Sequence, residues 1–300
     1  MDRREMLRIL GLASLAACAR RSDDGVDSAA ATKATDDTTA ARAGGAAGGT
    51  ALANAPIGIQ LYTLRTVLEK NPEPTLAALA EIGYKEVELA GLYGLTAAAM
   101  RALLDKHGLT APATHIPLDQ LRTNLTRVID DAKTLGHQYV VCPYLDEKER
   151  TADGYKRAAE TLNSAGERVK QAGMQMAYHN HDFEFKTLGA GPAYDTLLAQ
   201  TDPQLVKMEL DLYWITEGGK DPLAYFAKYP GRFPLVHVKD RAADGKQVDV
   251  GQGAIDYKNV LARAAAEGGT RHFFVERDEP TDPLATARVS FAGLRKALAG

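Results

Sequence analysis

From residue 56 onward, short apolar runs alternate with longer stretches in which apolar residues recur every three or four positions. The runs occupy 57–61, 86–89, 111–115, 139–142, 174–178, 206–210, 235–238 and 272–275. They return at intervals of roughly 25 to 38 residues, the spacing of repeated strand–helix units. Between them, Leu76, Leu79 and Ile82 fall on helical spacing within 74–82, and Met100, Leu103 and Leu104 within 97–107. The same holds for Leu121, Leu125, Val128, Ile129 and Leu135 within 121–135, and 161–171 and 257–266 behave alike. Gly83, Gly108, Gly136 and Gly173 each close such a stretch just before a strand run, where a helix C-terminus takes glycine. Eight units of this kind predict an α/β fold, a (β/α)8 barrel of the TIM type. A doubly wound open sheet is the competing arrangement. Against it, the first run leads into Gln60, Leu61, Tyr62, Thr63 and Leu64 rather than a glycine-rich turn, and Gly251 and Gly253 come late, after the seventh run.

The first 55 residues do not join this pattern. Arg3, Arg4 and Arg8 precede a short apolar core from Ile9 to Ala17, too short to span a bilayer and arranged like an export signal. The paired arginines followed by Leu7 resemble a twin-arginine signal. Leu15, Ala16, Ala17 and Cys18 resemble the lipobox of bacterial lipoproteins, whose cysteine is acylated and becomes the new N-terminus. Residues 19–55 are Ala, Gly, Thr and Asp with almost no large apolar side chain. Such a segment cannot bury enough surface to offset chain entropy and reads as a flexible tether. The expected organisation is therefore a signal over 1–18, a tether over 19–55 and a barrel over 56–300. The expected location is the periplasm, with the membrane touched only through a lipid on Cys18.

Composition narrows the function. The chain of 300 residues is 45% hydrophobic and carries a formal net charge of −3, an ordinary globular make-up without the basic excess of nucleic-acid binders. Its two cysteines, Cys18 and Cys142, are far apart, which excludes a disulfide framework and a thiolate-rich zinc site.

The candidate chemistry lies at the ends of the predicted strands, where a barrel of this type places its active site. The first three runs offer Gln60 and Tyr62, then Glu88, then His115, which are candidate substrate-binding residues. The fifth leads into His179, His181, Asp182 and Glu184, and the sixth ends in Glu209 and Asp211. The seventh carries His237 and Lys239, and the eighth is followed by Glu276. His179, Asp211, His237 and Glu276 are the expected metal ligands, meeting at one divalent ion. Imidazole mixed with carboxylate suits Mn, Zn, Fe or Co better than Ca. Such a site polarises a carbonyl or hydroxyl oxygen and lowers the cost of removing a proton from the neighbouring carbon. His181, Glu184, Lys239 and Glu276 are the candidates for moving that proton or stabilising the charge that forms. His107 and His137 sit near helix ends and are expected to be solvated, His272 to be structural, and Tyr178 to pack.

With these residues in view, the segment from about Ile57 to Leu298 resembles the sugar phosphate isomerase/epimerase family, the xylose isomerase-like barrels related to endonuclease IV. The resemblance is carried by the stretch from Gly58 to Arg65, by Tyr178 to Phe185, and by Glu209-Leu210-Asp211. His237-Val238-Lys239-Asp240, Gly251 to Asp256 and Val275-Glu276 complete it. In the ketose epimerases of that family a glutamate, an aspartate, a histidine and a glutamate from successive strands hold one divalent metal. Asp211, His237 and Glu276 match the last three, while His179 stands where the first glutamate is expected. In those epimerases the two glutamates also handle protons on opposite faces of the sugar. The replacement leaves His181 or Glu184 as the base here, with Glu276 keeping a dual role. The resemblance implies a metal-dependent carbohydrate isomerase or epimerase acting through an enediol or enolate. The alternatives are a lyase or hydratase acting on a 3-keto-glycoside, which shares the proton-abstraction step, and a tethered sugar-binding protein without turnover. The expected partner is a small carbohydrate. An endonuclease-like activity is opposed by the acidic charge, the export signal and too few ligands for three metals.

The anchor is directly testable. Expressed in a bacterium, the full chain should sediment with membranes and need detergent for release, and Cys18→Ser should move it to the soluble fraction. Recovery of the unaltered chain from membranes by a salt wash alone would refute the lipid.

Overall fold

The computed structural model describes residues 52–189 and 191–299. The expected signal, the cysteine expected to carry a lipid and the expected tether before residue 52 lie outside the described residues. Where the described chain begins, Arg295 donates from Nη1 to the carbonyls of Ala53, at 3.0 Å, and Ala55, at 3.4 Å.

Eight parallel strands close into a barrel: β1 (Gly58–Gln60), β2 (Glu86–Leu89), β3 (Thr110–His115), β4 (Tyr139–Cys142), β5 (Gln175–His179), β6 (Val206–Asp211), β7 (Leu235–Val238) and β8 (His272–Val275). Each pairs with its neighbours in sequence, and β1 pairs with β8 to close the ring. The helices that cover it are α1 (Pro72–Ile82), α2 (Ala97–Lys106), α3 (Leu125–Leu135), α4 (Ala152–Gln171), α5 (Ala193–Gln200), α6 (Pro222–Lys228), α7 (Tyr257–Arg263) and α8 (Pro283–Ala299). The predicted (β/α)8 barrel is the observed fold.

Local chemistry explains the element ends. Helix α2 starts where Thr96 accepts a hydrogen bond from the Ala99 amide, and α4 where Thr151 accepts from Gly154. Helix α1 ends at Gly83 with φ of 119°, a conformation that costs other residues strain. The helix expected over 121–135 is two, Leu118–Thr123 and α3, with Asn124 at φ −129° breaking them. The stretch expected over 161–171 extends back to Ala152, because buried Ala158 and Ala159 carry its inner face as well as larger residues do. Helices α5, α6 and α8 were not predicted, since their apolar stripes are short or made of alanine.

Side chains alternate between the barrel interior and the helix layer. The outward set forms the large core under the helices, including Ile59, Val87, Val140, Met176, Leu210, Val236 and Val275. The inward set is layered. At the N-terminal end His272 bonds Glu86 at 2.9 Å. Above it Ala113, Tyr139, Val141, Ala177, Leu235 and Phe274 form a separate apolar plug. Above the plug the interior turns polar. Gly58 makes the plug possible, because a Cβ there would sit 2.4 Å from the Phe274 ring.

Phe274 is the floor beneath the polar layer, its ring 6.2 Å from that of His237. Gly58→Ala should therefore cost about 1–3 kcal/mol through overpacking. Urea unfolding measures it, and an unchanged midpoint would show that the plug yields freely.

Candidate active site and metal centre

The polar layer opens into a cavity of about 460 Å³ at the C-terminal ends of the strands, lined by Tyr62, His115, Tyr144, His179, His181, Lys239, Glu276 and Asp278 among others. Tyr62 and Tyr144 form its rim and are 40% and 42% exposed, among the few large apolar side chains left in solvent.

At the cavity floor the ligand atoms of His179, Asp211, His237 and Glu276 all lie within 4.8 Å of one another, and all four residues are buried. Register explains part of this. Asp211 ends β6 and pairs with His237 on β7, while His179 ends β5 and pairs with Glu209. Asp211 also caps the short helix Leu212–Glu217, its Oδ1 accepting from the amides of Tyr213 at 3.0 Å and Trp214 at 2.9 Å. Oδ2 is left to face His179 Nε2 at 3.3 Å. The His179 ring is turned by its other nitrogen, Nδ1, which lies 3.2 Å from the Pro143 carbonyl. His237 Nδ1 meets Glu276 Oε2 at 2.7 Å. Two imidazoles and two carboxylates, with Asp211 and His179 turned inward by bonds to their other atoms, are a fitting set for a first-row divalent ion.

Lys239 closes this group. Its ammonium lies 3.0 Å from Asp211 Oδ2, 2.9 Å from Glu276 Oε2 and 2.9 Å from Asp278 Oδ1. Burial opposes its charge, but the three carboxylates raise its pKa well above the usual lysine value. Burial likewise opposes ionisation of Glu276 and Asp211, yet Lys239 and the neighbouring imidazoles hold both carboxyls below their ordinary values. His181 is the opposite case. Burial, then His179 and Lys239, push its pKa down to about 2, so it is neutral. Its ring stacks on Phe183 at 5.5 Å and meets the edge of Tyr144 at 5.1 Å.

A second set lies deeper. Ligand atoms of Glu88, His115, Glu209 and His237 again lie within 4.8 Å of one another. Glu209 Oε2 meets His115 Nε2 at 2.8 Å and His237 Nε2 at 3.2 Å. Burial and the facing Glu209 raise the pKa of Glu88, while His237 and His115 overcome burial and hold Glu209 well below its ordinary value.

The residues expected at the site thus separate. Tyr62, His115, His179, His181, Lys239 and Glu276 line the cavity. Asp211 and His237 are fully buried just beneath it. Gln60 and Glu88, expected to bind substrate, are fully buried and bond each other at 2.8 Å. Glu184, expected as a base, does not line the cavity. The turn Phe183–Phe185 carries it inward, where it accepts from Tyr178 Oη at 2.6 Å and from the His181 amide at 2.8 Å. Tyr178 therefore packs, as expected, and also bonds. His137, expected in solvent, is buried with Nδ1 2.6 Å from the Ala111 carbonyl. His272 is structural, as expected. Glu209 was named at its strand end but given no role, and Asp278 was not singled out. Glu209 precedes Asp211 by two residues on one strand face, a usable signal, but Asp278 lies in a loop with no period. The glycines after β7 have a local purpose: the amides of Gly251 and Gly253 donate to Asp240 Oδ2 at 2.8 and 3.0 Å.

A model of the xylose isomerase-like TIM barrel family matches residues 76–297. The chain belongs to that family. Among its relatives within curated proteins, an inosose dehydratase of Lacticaseibacillus casei is 25% identical over 275 residues, covering 76% of this chain and 89% of the relative. An inosose dehydratase of Geobacillus kaustophilus is 23% identical, covering 75% and 85%. A crystal structure of a sugar phosphate isomerase/epimerase from Parabacteroides distasonis superposes with a TM-score of 0.71 at 27% identity, covering 80% of this chain and 93% of that one.

The buried Glu184 makes a pH prediction. Burial raises its pKa from the ordinary 4.5 to about 7. As pH rises the unfolded chain sheds this proton first, so the group lowers stability progressively from about pH 4.5 to about pH 7 and no further. Glu184→Gln escapes that loss. Its unfolding free energy relative to wild type should shift in its favour by about 3 kcal/mol across the window. Parallel urea-stability curves would contradict the assignment.

Proposed function

We propose that the protein is a metal-dependent enzyme that removes a proton beside the carbonyl of an unphosphorylated carbohydrate or cyclic polyol, and that elimination of the oxygen substituent at the next carbon follows. The observation that carries the reading is the convergence of His179, Asp211, His237 and Glu276 at the floor of an open cavity. The residues in that set would hold the ion. When bound, a divalent ion supplies polarisation of the carbonyl oxygen, so that enolate charge forms at lower cost.

The chain's own groups do the rest. Glu276, kept ionised by Lys239 and His237, is positioned at the cavity wall to accept the substrate proton. Lys239 cannot give up its proton readily while three carboxylates surround it, so it acts as fixed positive charge beside the developing oxyanion. Neutral His181 and the Glu209-bonded His115 face the cavity and orient hydroxyl groups. Tyr62 and Tyr144 stand exposed at the rim, where a sugar ring can lie against them. Phosphate is a poor fit, because Lys239 is the one lysine or arginine among the described lining residues and is already paired three times.

Two observations support elimination over isomerisation. His179 occupies the place of the first glutamate, one of the two that the epimerase pattern uses as opposite-face bases, and dehydratases are among the curated relatives. Isomerisation or epimerisation is the second reading, supported by the sugar phosphate isomerase/epimerase structure from Parabacteroides distasonis. A 3-keto-glycoside losing its aglycone is a form of the first reading. Export through the twin-arginine route and anchoring at Cys18 would bring such an enzyme to substrates outside the cytoplasm.

The test is a panel of inososes, keto-sugars and 3-keto-glycosides incubated with Mn²⁺- or Co²⁺-loaded protein in D₂O. Loss of water or aglycone, read by mass, is the expected result, whereas deuterium incorporation with the skeleton intact would transfer the assignment to the isomerase reading. Asp211→Ala and His237→Ala should each lose bound metal and activity while keeping the wild-type circular dichroism spectrum. Full metal content in either variant would refute the ligand set.

A further inference from the structure

Glu88 reaches from β2 across the barrel interior to His237 on β7, and the bonds around it define which atom donates. The Tyr62 amide can only donate, and it lies 3.0 Å from Gln60 Oε1. That fixes the orientation of the Gln60 side chain, so its Nε2 is the donor to Glu88 Oε2 at 2.8 Å. Glu88 Oε2 thereby accepts from Gln60, and His237 Nε2, 2.6 Å from the same oxygen and 3.2 Å from Glu209 Oε2, faces two carboxylate oxygens, which favours a proton on Nε2. An imidazole whose Nε2 is protonated presents its lone pair at Nδ1 when neutral. Nδ1 is the nitrogen that faces Glu276 at 2.7 Å and Asp211 Oδ2 at 3.8 Å.

We infer that Glu88, braced by Gln60, is a positioning residue that fixes the Nε2–H tautomer of His237 and so makes Nδ1 the metal-binding nitrogen. The inference rests on reading the four converging residues as the metal site. It gives Glu88 and Gln60 a purpose that their complete burial below the cavity allows, and that direct contact with substrate does not. Glu209 and His115 complete the frame. Glu209 Oε2 bonds His115 Nε2 at 2.8 Å, and the His115 ring stacks on His237 with centroids 5.4 Å apart and planes 16° from parallel. The His237 ring is thus held both along its edge and on its face.

The test uses the full chain labelled with ¹⁵N-histidine and loaded with Zn²⁺. Two-bond proton–nitrogen correlation should show His237 with its proton on Nε2 and the metal on Nδ1. A proton on Nδ1 overturns the inference whatever the variants do. Glu88→Leu removes the acceptor and should lower Zn²⁺ affinity, measured by competition with a chromogenic chelator, by about 10- to 100-fold. The conservative Glu88→Gln, whose amide oxygen still accepts, should recover most of that affinity and the Nε2–H signal. Glu86→Leu makes the same change in the Glu86–His272 pair at the other end of the barrel and should leave affinity at the wild-type value. Wild-type affinity in Glu88→Leu, or an equal loss in Glu86→Leu, overturns the positioning role alone. A wild-type chain that binds no divalent ion overturns both this inference and the metal reading beneath it.

Discussion

Carboxylates confined inside a barrel repel one another across a low-dielectric space, and the interior of this protein is arranged around that constraint. Glu88, Glu209 and Asp211 are fully buried, Glu276 is 5% exposed, and Asp278 stands beside them at the cavity. Against them stand one lysine and three imidazoles, those of His115, His179 and His237. Burying this many like charges without compensation would be prohibitive. The observed bonds share each cation among several anions: Lys239 serves three carboxylates, and His237 serves Glu276 on one side and Glu88 with Glu209 on the other. Two oxygens, Glu88 Oε1 and Glu209 Oε1, are buried without a hydrogen-bond partner. Both belong to the deeper set that frames His237 and not to the quartet at the cavity floor.

The apolar plug below makes the charged layer possible. Phe274, Leu235, Val141 and their neighbours fill the barrel centre, so the polar layer has a dry floor and a single open side. Stability comes from this plug and from the core under the helices, neither of which contains a ligand residue. Removing a ligand therefore disturbs charge balance at the mouth more than it disturbs packing. The same separation accounts for the gradient in chemistry up the strands. Along β8, for example, His272 pairs at the base, Phe274 packs in the middle and Glu276 faces the cavity.

The features legible in the sequence were those with a period. The eight runs, the glycines after the helices and the inward positions at the strand ends all follow from strand–helix repetition, and they located Asp211, His237 and Glu276 without coordinates. Legibility failed wherever the chain leaves a strand. Glu184 follows His181 closely in sequence, but a single 3₁₀ turn carries it inward to Tyr178 instead of the cavity. Gln60 and Glu88 occupy the right strands and faces, yet depth along a strand decides between meeting substrate and bracing a ligand. Nothing in a one-dimensional pattern reports that depth. Asp278 was invisible because its importance lies in reaching Lys239 from a loop. The helices α5 and α6 escaped because their apolar stripes are short, and α8 because small residues such as Thr286, Ala287 and Ser290 on its inner face give little apolar contrast.

The exchange of a glutamate for His179 is informative as a matter of charge. With both imidazoles neutral, the quartet of His179, Asp211, His237 and Glu276 carries two negative charges, equal and opposite to a divalent ion. A third carboxylate would leave the loaded centre negative and would make the approach of an enolate costlier. His179 is secured for this purpose as His237 is, by one nitrogen tied to an oxygen of the fold, the Pro143 carbonyl, so that the other faces the centre. What the exchange removes is an ionised base on that wall of the cavity. An epimerase needs bases on two faces, because it must return the proton opposite to where it left. An elimination needs a base on only one, because no proton returns to carbon: the C–H pair becomes the new double bond, the C–O pair leaves with the neighbouring oxygen, and the proton taken by the base can pass to that oxygen to release water or alcohol. Glu276, with His179 and His181 held neutral chiefly by burial, matches the second requirement.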